Sequence, residues 1–191
     1  MANITTYTKI SFDPTAPDRD KIEIRDIAHA LSLMCRANGH FPVFYSVAQH
    51  CLNCMKEAKA RGFGDRVQLL CLLHDASEAY IADLTRPVKS AIPEYKEIEK
   101  RLEREIYAKW LGGITDEEYA IMRNIDDLML YHEFYRFMGE KLWDEKNELL
   151  SQPRFCFELF AGVEKEFISA FSCLKKACEE AERENEATLL S

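Results

Sequence analysis

The stretch Val67-Gln68-Leu69-Leu70-Cys71-Leu72-Leu73-His74-Asp75-Ala76-Ser77-Glu78 runs an apolar segment straight into an ionisable pair. An apolar run of this kind belongs in a core, and it carries His74 and Asp75 inward with it. Burying such a pair is costly unless it is paired or holds a metal. Two other segments repeat the anomaly. His50 stands among Val47, Ala48, Cys51 and Leu52, and Asp126 stands in Ile125-Asp126-Asp127-Leu128-Met129-Leu130. Two imidazoles and two carboxylates form a ligand set that suits Mn, Fe, Co, Ni or Zn and leaves coordination positions open for chemistry.

Outward from this stretch the pattern is helical. Asp65 with Gln68 reads as a cap, so the helix carrying His74 is expected to run to about Ile81, where Leu84-Thr85-Arg86-Pro87 breaks it. Ser46 with Gln49 reads as a capping box, which puts His50 in the first turn of the preceding helix, ending near Arg61-Gly62. A first helix is expected over 24–37, with Ile27, Leu31 and Met34 at helical spacing and Asn38-Gly39 as the stop. Ile98, Leu102, Ile106 and Trp110 mark another over 94–111, ended by Gly112-Gly113. Thr115 with Glu118 caps the helix that holds Asp126 and runs to about Met138. After Pro153, Phe155, Leu159, Val163, Phe167, Phe171 and Leu174 predict an amphipathic helix over about 155–178, with an acidic tail from Glu179 that is expected to fray. Residues 4–12 alternate weakly and suggest a short hairpin or extended arm. The expected fold is all-α, a single-domain helical bundle over 1–191 with its metal-site core at about 24–138.

The bulk composition limits the function. The chain has 191 residues, enough for one domain with a real core. It is 47% hydrophobic, which excludes disorder, and 30% charged, which suits a soluble surface. No apolar run approaches the roughly 20 residues needed to span a bilayer, and the N-terminus has neither the basic nor the apolar region of a signal peptide. No membrane association is expected. The net charge of −8 opposes binding to a nucleic-acid polymer. Seven cysteines without regular spacing point to free thiols in a reducing, cytoplasmic compartment. Cys51 and Cys54 form a lone C-x-x-C. It lacks the second pair of a zinc knuckle and also reads as two small apolar residues on one helix face.

On a continuous helix, His74 and Glu78 are four apart and Asp75 and Glu78 three apart, so all three lie on one face. Such a cluster is also what a helix looks like where it emerges into solvent. Asp127 competes with Asp126, since the two point about 100° apart on a helix. An acidic surface repels phosphate, so a local cation would have to hold one. Arg36 and Lys89 are the candidates, with Arg86 behind them; Arg36 also reads as a helix C-terminal residue complementing the dipole. His29, His40 and His132 leave a second metal open but equally suit surface or structural use.

The order H…HD…D on successive helices resembles the HD-domain metal-dependent phosphohydrolases. Phe44-Tyr45-Ser46-Val47-Ala48-Gln49-His50, then His74-Asp75-Ala76-Ser77-Glu78-Ala79-Tyr80 with Asp83 and Pro87-Val88-Lys89, is similar to the YfbR-like 5′-deoxynucleotidase group. The resemblance runs from about Asp26 to Met138. It implies that His50, His74, Asp75 and Asp126 bind one divalent metal, which would be Co, Mn, Mg, Ni or Zn. It implies that Glu78 orients or activates the attacking water and that Asp83 assists proton transfer. Arg36 matches the arginine that holds the phosphate, at a spacing to His50 one residue shorter than the family's. Gln49 stands where close members often have Glu. Ala37 stands where the family has the aromatic residue that helps select deoxyribose, so sugar selectivity does not carry over.

The expected activity is therefore removal of the 5′-phosphate of (deoxy)nucleoside monophosphates by a metal-activated water. A dNTP triphosphohydrolase or pyrophosphohydrolase is the alternative within enzymes; additional converging Lys or Arg would be its sign, and the sequence offers few. A nucleotide-binding regulatory module without turnover is the alternative of a different class; intact Glu78 and Asp83 argue against it. The expected partner is a small nucleotide, with a homodimer suggested by the amphipathic C-terminal helix and by the resemblance.

Overall fold

The computed structural model describes residues 3–144 and 148–189. It is mostly helical, with a two-stranded N-terminal hairpin. Strand β1 (Ile4–Thr5) pairs antiparallel with β2 (Ser11–Phe12). Helices follow as α1 (Ile24–Leu33), α2 (Val47–Ala60), α3 (Asp65–Leu73), α4 (Glu78–Ile81), α5 (Arg86–Ala91), α6 (Pro93–Leu111), α7 (Asp116–Met138) and α8 (Phe160–Leu189). The hairpin is tied to α1, because buried Asp26 accepts bonds from the Thr8 backbone N–H at 2.6 Å and from its hydroxyl at 2.9 Å. Phe12 stacks on Tyr80 with ring centroids 4.4 Å apart.

Helix α3 is the centre. Leu69, Leu70, Cys71, Leu72 and Leu73 are all buried, which is why the run contains no polar face. It packs against α2, α7 and α8. The apolar stripe of α8, with Val163, Phe167, Phe171 and Leu174 buried, packs on α1 and α3. The stripe that suggested a dimer element is thus used within the chain. A buried carboxylate closes the return to α8: Glu57 accepts from the backbone N–H groups of Leu150 and Ser151, from the Ser151 hydroxyl and from Arg61.

Several expected boundaries move. Helix α1 stops at Leu33 rather than 37. Met34 is already extended, and Cys35 forms a bridge to Ser46. The backbone pairs Arg36 N–H with the Tyr45 carbonyl at 2.8 Å, which draws this segment off the helix. Ala37 and Asn38 then turn through the left-handed region, costly for Ala because its Cβ crowds the following carbonyl. Gly64, not Asp65, is the N-cap of α3, and Asp65 is its first residue. The helix expected to reach Ile81 ends at Leu73. Beyond it Ala76 bonds Leu73, Glu78 bonds Asp75 and Tyr80 bonds Ser77, each to the residue three back. This tighter winding brings residues three apart into line.

Arg86-Pro87 opens a short helix instead of merely ending one, because Pro at the first turn lacks only an N–H that has no partner there anyway. Helix α8 begins at Phe160, after Phe155 and Leu159, and Leu159 is exposed. The acidic tail is helical to Leu189, with Lys175–Glu179 and Lys176–Glu180 pairs four residues apart on it; residues 190–191 at its tip lie outside the described residues. The α2 and α7 capping boxes form as read, with Ser46–Gln49 and Thr115–Glu118. Among the described residues, no helix is long and apolar enough to cross a membrane.

Candidate metal centre

Three elements converge at one end of α3. Helix α2 delivers His50, the turn after α3 delivers His74 and Asp75, and α7 delivers Asp126. His50 Nε2 lies 3.2 Å from His74 Nε2 and 3.1 Å from Asp126 Oδ1. His74 Nε2 lies 3.3 Å from Asp75 Oδ2 and 3.7 Å from Asp126 Oδ1, and His50 Nε2 lies 3.9 Å from Asp75 Oδ2. Atoms about 2.1 Å from one ion stand about 3.0–3.4 Å apart at octahedral or tetrahedral angles. The donor set therefore fits a single divalent ion.

The outer nitrogens support the same fit. His74 Nδ1 donates to the Cys71 carbonyl at 2.8 Å, and His50 Nδ1 donates to Glu133 Oε1 at 2.7 Å. A ring that donates through Nδ1 keeps the Nε2 lone pair for a metal, and both Nε2 atoms point into the cluster. The Cys54 and Cys51 thiols also lie within ligand reach of His50, His74 and Asp75. A thiol must lose its proton to ligate, and burial pushes the Cys51 thiol up. The four N and O donors are the better set.

Asp126 is buried and Asp127 is not. Burial alone would raise the Asp126 carboxyl, but His50 and His74 beside it hold it well below the usual carboxylate range. Its outer oxygen, Oδ2, receives Arg123 at 2.9 Å and Arg86 at 3.3 Å. Asp127 faces outward and takes Arg86 at 2.5 Å.

Arg36 leaves the loop after α1 and reaches the cluster. Its Nη1 lies 3.4 Å from Asp75 Oδ2 and its Nη2 3.7 Å from Asp126 Oδ1 and 3.2 Å from His50 Nε2. It does not cap a helix. Glu78 opens α4 beside Asp75. Burial first, then the neighbouring charges of Asp75 and Asp83, push its carboxyl well above the ordinary glutamate range. Its Oε2 is buried with no hydrogen-bond partner among the described residues, and its Oε1 lies 3.5 Å from Lys89 Nζ. Lys89 bonds Glu99 at 2.5 Å, so it faces two carboxylates. Asp83 follows Ala82, which sits at φ 76°, ψ 157°, a region costly for any residue with a Cβ. Burial raises the Asp83 carboxyl as well, with the Arg36 charge opposing.

Two groups that the sequence reading passed over join the site. Arg123 lies one turn before Asp126. Glu133 lies two turns after it, fully buried, with Oε2 3.3 Å from Arg36 Nε. A spacing of seven puts Asp126 and Glu133 within about 20° on a helix, and that spacing was the available signal. His29 stacks on Tyr7 and bonds Glu164 at 3.1 Å, and His132 packs edge-on against Tyr131.

One further acid lines this end of the bundle. Glu99, Glu103 and Tyr107 share a face of α6, and the Tyr107 hydroxyl reaches the His74 carbonyl at 3.4 Å. Burial, reinforced by Glu99, pushes Glu103 from the usual value up to about 7. The folded protein then holds a proton that the unfolded chain releases above about pH 4.5. Stability should fall as pH rises from about 4.5 through about 7 and level off above, a cost of about 3 kcal/mol. Urea unfolding in a chelator should show Glu103→Gln gaining on the parent across that window. A difference independent of pH would refute the assignment.

No family model matches the chain. The uncharacterized protein YfdR of Escherichia coli (strain K12) is 36% identical over 133 residues, covering 70% of this chain and 71% of that protein. The chain belongs to the YfdR family. An uncharacterized protein of Rhodobacter capsulatus is 42% identical to this chain over 104 residues, 51% of this chain and 51% of that protein. A 5′-deoxynucleotidase of Yersinia pestis is more distant, at 29% over 129 residues, 66% of this chain and 63% of the enzyme.

Proposed function

We propose that the chain is a metal-dependent phosphohydrolase that releases the 5′-phosphate of nucleoside monophosphates, deoxy forms included. One observation carries this reading: two imidazole nitrogens and two carboxylate oxygens from three segments stand 3.1–3.9 Å apart in the pairs above, beside a buried carboxylate, Glu78, that binds none of them. The distant likeness to 5′-deoxynucleotidases agrees with it.

A divalent ion bound by His50, His74, Asp75 and Asp126 supplies a water of lowered pKa and positive charge for the phosphoryl oxygens. The chain's own groups do the rest. Glu78 Oε2 takes the water proton or fixes the direction of attack. Arg36 turns its two terminal nitrogens to the phosphate, where a guanidinium forks onto two oxygens. Asp83, whose carboxyl burial raises, is placed to return a proton to the leaving 5′-oxygen. Lys89 balances the charge of Glu78 and Glu99.

A second reading, hydrolysis of nucleoside triphosphates, is favoured by Arg86 and Arg123. With Arg36 they put three guanidinium groups on or near Asp126, more positive charge than one phosphate needs. A panel of ribo- and deoxynucleoside mono- and triphosphates with Mn, Co, Mg, Ni and Zn decides between them. Orthophosphate plus nucleoside supports the proposal. Release of triphosphate or pyrophosphate supports the second reading. Tight nucleotide binding without hydrolysis under any metal would overturn both and leave a regulatory module.

A further inference from the structure

We infer that Glu133 is a positioning residue that ties the ligand His50 to the Arg36 clamp, so that affinity for metal and affinity for phosphate depend on one carboxylate. The inference rests on the metal-centre reading above. Glu133 is fully buried, and a carboxylate is costly there unless its oxygens are bonded. Its oxygens divide between two working groups. Oε1 accepts from His50 Nδ1 at 2.7 Å, and Oε2 accepts from Arg36 Nε at 3.3 Å.

Each bond has a separate consequence. A carboxylate on Nδ1 fixes the imidazole tautomer and rotation and makes Nε2 a stronger ligand. A carboxylate on Nε pins the guanidinium at its root and leaves Nη1 and Nη2 facing Asp75 and Asp126, at fixed positions and with less rotamer entropy to lose on binding an anion. Helix α7 thus contributes a ligand at Asp126 and, two turns on, the support for a second ligand and for the anion arm.

Glutamine at this position cannot serve both partners. Its one oxygen can accept from His50 or from Arg36, and its NH2 then faces an N–H donor. The test uses Glu133→Gln, Arg36→Met and the double variant. Co2+ is titrated calorimetrically without nucleotide, and inorganic phosphate is then titrated into Co-loaded protein with the visible Co2+ spectrum recorded. Glu133→Gln should weaken Co2+ binding about 10–100-fold, change the Co2+ spectrum and weaken phosphate binding. Arg36→Met should lose phosphate affinity and keep Co2+. The double variant should be no worse than Arg36→Met for phosphate, because the effect of Glu133 on phosphate runs through Arg36.

Unchanged Co2+ affinity and spectrum in Glu133→Gln would overturn the inference while leaving the metal centre standing. A parent protein that binds no divalent ion would instead overturn the metal-centre reading itself. Nitrogen-15 NMR of histidine in the Co- or Zn-loaded parent needs no variant. It should show His50 protonated at Nδ1 with a downfield hydrogen-bonded proton. A His50 protonated at Nε2 would overturn the inference.

Discussion

Asp126→Ala is expected to abolish metal retention and hydrolysis together. The carboxylate is buried, and its Oδ1 is the atom that closes the donor set, 3.1 Å from His50 Nε2 and 3.7 Å from His74 Nε2. Alanine removes one of four donors and one of the two negative charges that neutralise a divalent ion. Even partners one shell out from a metal commonly cost 10–100-fold in affinity, so loss of a ligand should exceed about 100-fold. The variant also leaves Arg36, Arg86 and Arg123 without a shared acceptor, and removing one side of a buried ion pair destabilises by about 3–5 kcal/mol. Asp126→Asn is the companion, since it keeps the shape and one acceptor. Metal content after dialysis, with circular dichroism to confirm the fold, separates lost binding from lost structure. A folded Asp126→Ala protein that retains metal and turnover would remove α7 from the site.

Glu78→Gln is expected to do the opposite: keep the metal and lose turnover. Glu78 bonds none of the four ligands, and its Oε2 is buried without a partner among the described residues. Burial, with Asp75 and Asp83 close by, makes this carboxyl hold a proton far more readily than an exposed glutamate. That is the property required of a group that takes a proton from water near neutral pH. The amide matches the side chain in size but accepts no proton, so kcat should drop about 10²–10⁴-fold, with Co2+ affinity unchanged. Lys89 then faces one carboxylate, Glu99, and its bond there at 2.5 Å should hold it in place. Undiminished hydrolysis by a metal-loaded Glu78→Gln protein would eliminate the catalytic assignment.

The residues that could be read from sequence are those whose polarity contradicts their surroundings. His50, His74, Asp75 and Asp126 each break an apolar run, and burial makes such a break expensive enough to need a reason. Capping boxes at Ser46 and Thr115 were equally legible because both halves of the motif are local. Glu133 was not, because Tyr131-His132-Glu133-Phe134 looks like any half-exposed helical stretch. Only its register with Asp126 shows that it points inward. The early end of α1 was hidden for a different reason. Ile27, Leu31 and Met34 keep helical spacing, while the pairing of Arg36 with Tyr45 and of Cys35 with Ser46 is a long-range backbone event. The tightened turn after Leu73 was hidden as well, since His74 and Ser77 keep right-handed helical dihedrals and only their hydrogen-bond partners change. From sequence alone Lys89 is a candidate cation for phosphate. Its surroundings, Glu78, Glu99 and the Tyr95 ring, come from elements a sequence cannot place in advance.

The most direct measurement is anomalous X-ray diffraction from crystals grown with Mn2+ or Co2+. One strong peak within about 2.0–2.2 Å of His50 Nε2, His74 Nε2 and an oxygen of both Asp75 and Asp126 is the predicted result. A peak on the Cys51 or Cys54 sulfur, or none near His74 and Asp75 at saturating metal, would contradict it.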